Sequence, residues 1–263
     1  MKFILRPFLL KLLILICVCL GGYAAFADIG PDVAISASKN YLVLEGGALW
    51  QSKNDQRIPG NSGSLFSLSD FSEGPFGSYR IYWGRRFSDR HEVRLLYAPL
   101  KLELSGKFPS SVNFKGTEFA ANTETKVYYK FNSYRISYIY HLEKFGAWES
   151  AFGFTGKIRD AEVRLTQGAL QEGTSNVGFV PLLHFQAHRR LSEKWKFIFD
   201  MDGLAAPQGR AIDLALLFER RISKSGQNHA YFGYRTIEGG ADNDKVYNIA
   251  WIHIATLGLK INY

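Results

Sequence analysis

The 263-residue chain is 15% aromatic and holds 25 glycines against only 8 prolines and 2 methionines, a composition that argues against a helical bundle and for many strands and turns. Its formal charge of +8 includes Lys2, Arg6 and Lys11; setting those three aside leaves +5, too mild a surplus to imply a nucleic-acid partner. A single all-β barrel domain of this length is ordinary, and no internal repeat, linker or run of like charges divides the chain.

Residues 1–27 have the layout of a cleaved export signal. The three cations precede a short apolar core, "LLILICVCL" at Leu12 to Leu20, and "AFA" at Ala25 to Ala27 supplies a small-x-small cleavage site. Nine apolar residues in a row are far fewer than the roughly 20 of a spanning helix. Both cysteines, Cys17 and Cys19, fall in this segment, and neither forms a lipoprotein box. The expected mature domain, residues 28–263, therefore relies on sheet closure and packing, not on disulfides.

Ten strand-like segments follow, at about 40–51, 76–87, 92–105, 127–142, 147–166, 176–191, 195–204, 210–222, 229–238 and 246–263. Tight polar connections ("SDRH" at 88–91, "EKFG" at 143–146, "SEK" at 192–194, "SKSGQN" at 223–228) alternate with Gly-, Asn- and Ser-rich ones at 52–75, 106–126, 167–175, 205–209 and 239–245. This predicts an antiparallel up-and-down transmembrane β-barrel of ten strands, eight and twelve being the other even counts. Short turns would lie at the periplasmic end and longer loops outside. Pro99 and Pro181 fall inside predicted strands, where each should mark a bulge or a stretch beyond the hydrocarbon band.

The segments alternate with period two. Tyr134, Ile136, Tyr138, Tyr140 and Leu142 oppose Arg135 and Ser137; Phe197, Phe199 and Met201 oppose Lys196, Asp200 and Asp202. Alternation alone fits a soluble or a membrane barrel. Tyr, Trp and Phe near strand ends favour the lipid-facing version, with charges turned into the lumen.

The ending "ATLGLKINY" places an aromatic last, with apolar residues at every second position before it. It resembles the C-terminal assembly signal of bacterial outer-membrane β-barrel proteins, with Tyr263 as the signal residue and Ile261, Leu259 and Leu257 as its apolar partners. The resemblance implies an outer-membrane location, outer-membrane lipids as surroundings and the barrel assembly machinery as a partner. It implies no nucleic acid and names no ligand.

The tight turn at Glu193 sets a pairing in which residue numbers sum to about 386, which places His184 opposite Asp202 and Gln186 opposite Asp200. The next hairpin brings Asp202 close to Asp213, with Arg235 one strand further on. An interior polar network of His184, Asp200, Asp202, Asp213, Arg235 and Arg159 is thus expected. The lumen would be filled by paired charges, Arg80, Arg94, Arg135, Lys157 and Lys196 among the cations and Glu92, Glu149, Glu162 and Glu219 among the anions. Its role would be structural, surface-binding or that of a narrow, porin-like channel.

The alternative is an outer-membrane hydrolase working at the extracellular rim, with Asp202, Asp213 and His184 as the catalytic candidates, because carboxylates beside a histidine suit general acid–base work. The chain resembles the ten-stranded omptin proteases in strand count and in the Asp-x-Asp spacing of Asp200 and Asp202 only. It has no Asp-x-His partner, and no His-x-Ser-Asn stretch of the lipid A deacylase kind. His184 and His188 lack a defined third ligand for zinc, and no phosphate loop, nucleophile elbow or zincin helix occurs. No cofactor and no metal are expected.

Overall fold

The structure, a computed structural model, describes residues 39–263 apart from Gln208 and Lys224. The export signal expected at residues 1–27 lies outside the described residues. The strands are β1 (Asn40–Arg57), β2 (Phe66–Ser67), β3 (Phe76–Arg86), β4 (His91–Ala98), β5 (Lys101–Lys107), β6 (Val112–Phe114), β7 (Thr117–Phe119), β8 (Glu124–His141), β9 (Trp148–Gln167), β10 (Leu170–Arg190), β11 (Trp195–Ala206), β12 (Gly209–Arg221), β13 (Asn228–Asp242) and β14 (Tyr247–Asn262).

β4 and β5 are two lengths of one wall strand, so the wall has ten antiparallel members, each paired with its neighbour in chain order. β14 pairs back onto β1 from Tyr41–Asn262 to Arg57–Tyr247, which closes the barrel and leaves neither end strand with a bare edge. Pro99 causes the break between β4 and β5. Having no N–H of its own to place in a ladder, it leaves Leu100 to donate to the side-chain oxygen of Asn132 instead, at 3.2 Å.

The period-two pattern puts apolar side chains outside. Ile136 is 57% exposed and Leu257 66%, whereas Arg135 is 6% exposed. A water-soluble barrel has the reverse arrangement. Tyr79, Tyr97 and Tyr134 lie side by side on the outer surface as one stretch of an aromatic girdle.

Both described termini share one end, with the turns at 87–90, 142–147 and 191–194, the end of β12 at Arg221 and the start of β13 at Asn228. At the opposite end only 58–75 and 108–123 are long; β9 and β10 meet at Gly168–Ala169, β11 ends at Ala206 and β12 starts at Gly209, and β13 and β14 meet at 243–246. The loops expected at 167–175 and 205–209 are therefore mostly strand. Their Gly, Ser and Asn content reflects a ribbon standing in water, with Gly168 at φ +59° making the turn. β9 and β10 run for 20 and 21 residues, about twice the 9–11 that cross a bilayer.

The two long connections fold inward. Phe66, Leu68, Phe108, Val112, Phe114 and Phe119 pack on Leu49, Leu102, Leu104, Val127, Leu165 and Ile254 from the walls, with Phe66 edge-on to Phe108 at 5.3 Å. Inward positions are thus mostly apolar in this half of the barrel, with Gln51, Asn54 and Gln56 as buried, mutually hydrogen-bonded exceptions, and ionic further down.

The wall parts in two places: the β3–β4 ladder ends at Ile81–Tyr97, beyond which β3 pairs only with β1 and β5 only with β8, and β10 parts from β11. The β10–β11 ladder begins at Leu183–Gly203, while β10 continues to Leu170 paired only with β9. Pro181 lies in that stretch, where β10 is an edge and a missing N–H costs no bond to β11.

Candidate functional site

At mid-height the lumen is crossed by ion pairs built from alternate residues of nearly every strand. On β11, Asp200 and Asp202 both point inward. His184 of β10 and Asp213 of β12 are the direct cross-strand partners of Asp202. Asp202 accepts from Arg135 on Oδ2 at 2.8 Å and from Thr155 on Oδ1 at 2.9 Å, and His184 Nδ1 lies 2.9 Å from that same Oδ1. Asp213 accepts from Arg235 at 2.6 Å, Arg135 at 2.7 Å and Arg80 at 2.8 Å. Asp200 accepts from Arg94 at 2.8 Å and Gln186 at 3.0 Å.

Glu45 completes the set, taking Arg235 at 3.1 and 3.2 Å and the Tyr231 hydroxyl at 2.8 Å. Four carboxylates (Glu45, Asp200, Asp202, Asp213) thus meet four guanidiniums (Arg80, Arg94, Arg135, Arg235), so the plug is charge-balanced. Tyr82 lies between two of them, with Arg80 and Arg94 at 5.6 and 5.7 Å from its ring. Such a cluster is tolerated away from water only because each charge is partnered and its remaining hydrogen-bonding positions are filled.

A second polar layer lies toward the termini. The Tyr41 hydroxyl donates to Glu92 at 2.6 Å, His141 holds the other oxygen of Glu92 at 2.8 Å, and Glu219 lies 3.1 Å from His229 and 3.7 Å from Lys196. On the opposite side of the plug is a cup of about 560 Å³, within the roughly 300–1,000 Å³ usual for small-ligand sites. Its floor includes Asp213, Arg135 and Lys157; its sides include Arg159, Tyr129, Phe131, Val163, Leu182, Leu204 and Ile237.

No family model and no curated protein matches the chain. Among solved structures, the outer membrane protease OmpT from Escherichia coli matches with a TM-score of 0.53 at 8% identity, over 88% of this chain and 99% of that one. The fold is that of the bacterial outer-membrane β-barrels. At such identity the likeness carries the fold alone. The translocator domain of the autotransporter NalP from Neisseria meningitidis (TM-score 0.42, 7% identity, 98% of this chain and 96% of that) is a more distant match. So is Ail, the attachment invasion locus protein of Yersinia pestis, solved with sucrose octasulfate (0.41, 6%, 85% and 99%).

The closed outer-membrane barrel lies in the bacterial outer membrane with its apolar belt toward lipid, its termini toward the periplasm and its cup outward. Leu257, Leu259, Ile261 and Tyr263 are all exposed on the outer face, and Tyr263 accepts a hydrogen bond from the Trp83 indole at 3.1 Å.

The structure brings His184, Asp200, Asp202, Asp213 and Arg235 into one network. It does not bring in Arg159, which stands higher in the cup and donates to Asn176 at 2.6 Å. Its position on β9, two residues above Lys157, is too high for the plug carboxylates. Glu162, grouped with the interior anions by sequence, points outward to Lys130 at 3.3 Å. Glu45 was not legible. It lies directly opposite Arg80, but β1 and β3 are joined by a long loop that gives no turn from which to count the pairing.

Proposed function

We propose that this outer-membrane barrel is a binding protein, with its lumen shut at mid-height and its ligand held in the outward cup. The observation that carries the reading is Asp213, which takes Arg80 from the far side of the barrel together with Arg135 and Arg235. Side chains from opposite walls that meet in this way leave ions and solutes no continuous path.

Hydrolysis is the weaker reading. Asp202 and Asp213 are each 3% exposed, and every carboxylate oxygen of the pair already accepts from a cation, a hydroxyl or a histidine. A general base needs a lone pair aimed at substrate, and His184 is not among the residues that line the cup. The protease named in one structural neighbour is not carried over.

Single-channel recording in planar bilayers tests the proposal. The wild type should give no steady conductance, while Arg80→Ala with Asp213→Ala, which empties the centre of the plug in a charge-balanced way, should give discrete openings. Porin-like conductance by the wild type would overturn it.

A further inference from the structure

Two inward-facing cations of β9 in the cup, Lys157 and Arg159, have no carboxylate partner among the described residues. Lys157 is 3% exposed, and its ammonium lies 4.7 Å from the centre of the Phe131 ring. Arg159, two residues along the same inward face of β9, bonds the neutral side-chain amide of Asn176, and its Nε is buried without an acceptor. The plug below forms no direct ion pair with either, since its four carboxylates are matched by four guanidiniums. An uncompensated cation away from water is unfavourable, and an anion from outside the chain relieves it.

The same level of the wall is where β10 and β11 part. Lys157 lies opposite Val180 and Arg159 opposite Gly178, both on the β10 stretch that has no ladder to β11. The gap is apolar. Leu182 and Leu204 line it from inside, and Leu204, although on the inward face of β11, is 37% exposed. Outside, Phe179 and Val177 stand exposed beside it, level with Ile158 and with the charged Asp160 where the apolar belt ends. Gly178 leaves the route to Arg159 clear: a Cβ there would lie 3.5 Å from the Arg159 guanidinium and 3.3 Å from the Asn176 oxygen.

We infer that the cup binds a single-chain amphiphile with an anionic head, carboxylate or phosphate. The head is held by Lys157 and Arg159, and the alkyl chain runs out between β10 and β11 into the outer leaflet. This inference rests on the reading of the barrel as a closed-lumen binding protein. It explains together why two cations lack partners, why Leu204 is bare and why the ladder stops at Leu183.

The test is calorimetric titration of the full barrel, in a neutral detergent, with dodecanoate, dodecyl phosphate, dodecanol and inorganic phosphate. At least one of the two anionic amphiphiles should bind at one per barrel, and the tighter of the two identifies the head. Dodecanol and inorganic phosphate should bind at least tenfold more weakly. Lys157→Met and Arg159→Met should each weaken the anionic amphiphile at least tenfold. Gly178→Leu should do the same while keeping both cations. Lys157→Met removes an unpaired buried charge and should fold at least as well as the wild type, so loss of binding in that variant is not loss of structure. Dodecanol binding as tightly as dodecanoate, or unchanged affinity in both Met variants, would overturn the inference. If no anionic amphiphile binds while the wild type stays non-conducting, the ligand assignment fails and the closed lumen stands; if the wild type conducts, the underlying reading fails as well.

Discussion

Tyr41 lies directly opposite Gly84 across the β1–β3 ladder, and its ring fills the space where a side chain at position 84 would begin: a Cβ there would stand 2.1 Å from the ring. Tyr231 lies over Gly258 in the same way on the other side of the seam. Each glycine thus lets a tyrosine lie flat along the wall and carry its hydroxyl to a buried carboxylate, Glu92 in one case and Glu45 in the other. Gly84→Val should therefore displace the Tyr41 ring and cost about 1–3 kcal/mol. The temperature at which the barrel loses its compact mobility on a detergent gel should fall, and Tyr41→Ala should restore part of the loss.

Arg235 holds Glu45 and Asp213 together, so removing it takes from Glu45 its closest cation, leaving Arg80 at 3.8 Å, and from Asp213 one of three guanidiniums. Arg235→Met is expected to cost on the order of 3–5 kcal/mol, more than Asp202→Asn, which leaves Arg135 still paired with Asp213. Adding Glu45→Gln to Arg235→Met should recover part of the loss. Thermal unfolding followed by gel mobility or circular dichroism ranks the three variants.

Asp202→Asn also separates a structural role from a chemical one. The wild type should hydrolyse neither peptide nor acyl-ester substrates, and the variant should differ from it only in thermal midpoint. A hydrolytic activity that disappears in a well-folded Asp202→Asn barrel would move the enzyme reading to first place.

Phe114 is fully buried where the inward-folded loops pack against the walls. Phe114→Ala should cost about 3–5 kcal/mol locally. Limited proteolysis should then cut within 108–123, while the membrane-embedded half keeps its heat-resistant mobility. Loss of the whole barrel instead would mean that the two halves fold as one unit.

Deleting Tyr263 removes an exposed aromatic of the outer face and its bond to Trp83. The folded fraction recovered in outer membranes should fall well below that of a chain lacking Asn61, which sits in the long 58–75 connection. Equal recovery would show that the terminal pattern plays no part in assembly.

What was legible in the sequence follows from where turns are tight. The turn after Leu191 and the hairpin whose last pair is Ala206–Gly209 allow pairings to be counted, which puts His184, Asp202 and Asp213 side by side, as they are. No such count reaches Glu45. The inward packing of Phe66, Leu68 and Phe114 was hidden for a different reason: these residues lie in segments rich in Ser, Gly and Asn, which read as solvated loop, and only the closed wall offers them a surface to cover. The height of the β9–β10 ribbon was missed because a strand above the membrane needs no apolar face.

The plug takes side chains from every wall strand except β14: Glu45, Arg80, Arg94, Arg135, Thr155, His184, Asp202, Asp213 and Arg235 stand one on each of the other nine. A strand that slid by two residues would keep its greasy side toward lipid, so the belt cannot detect that error. The lumen can, because such a slip carries one ion past its mate and leaves both bare. The charged centre therefore acts as a combination lock on the circumference, accepting a single alignment of nine staves and rejecting near misses that the bilayer alone would tolerate.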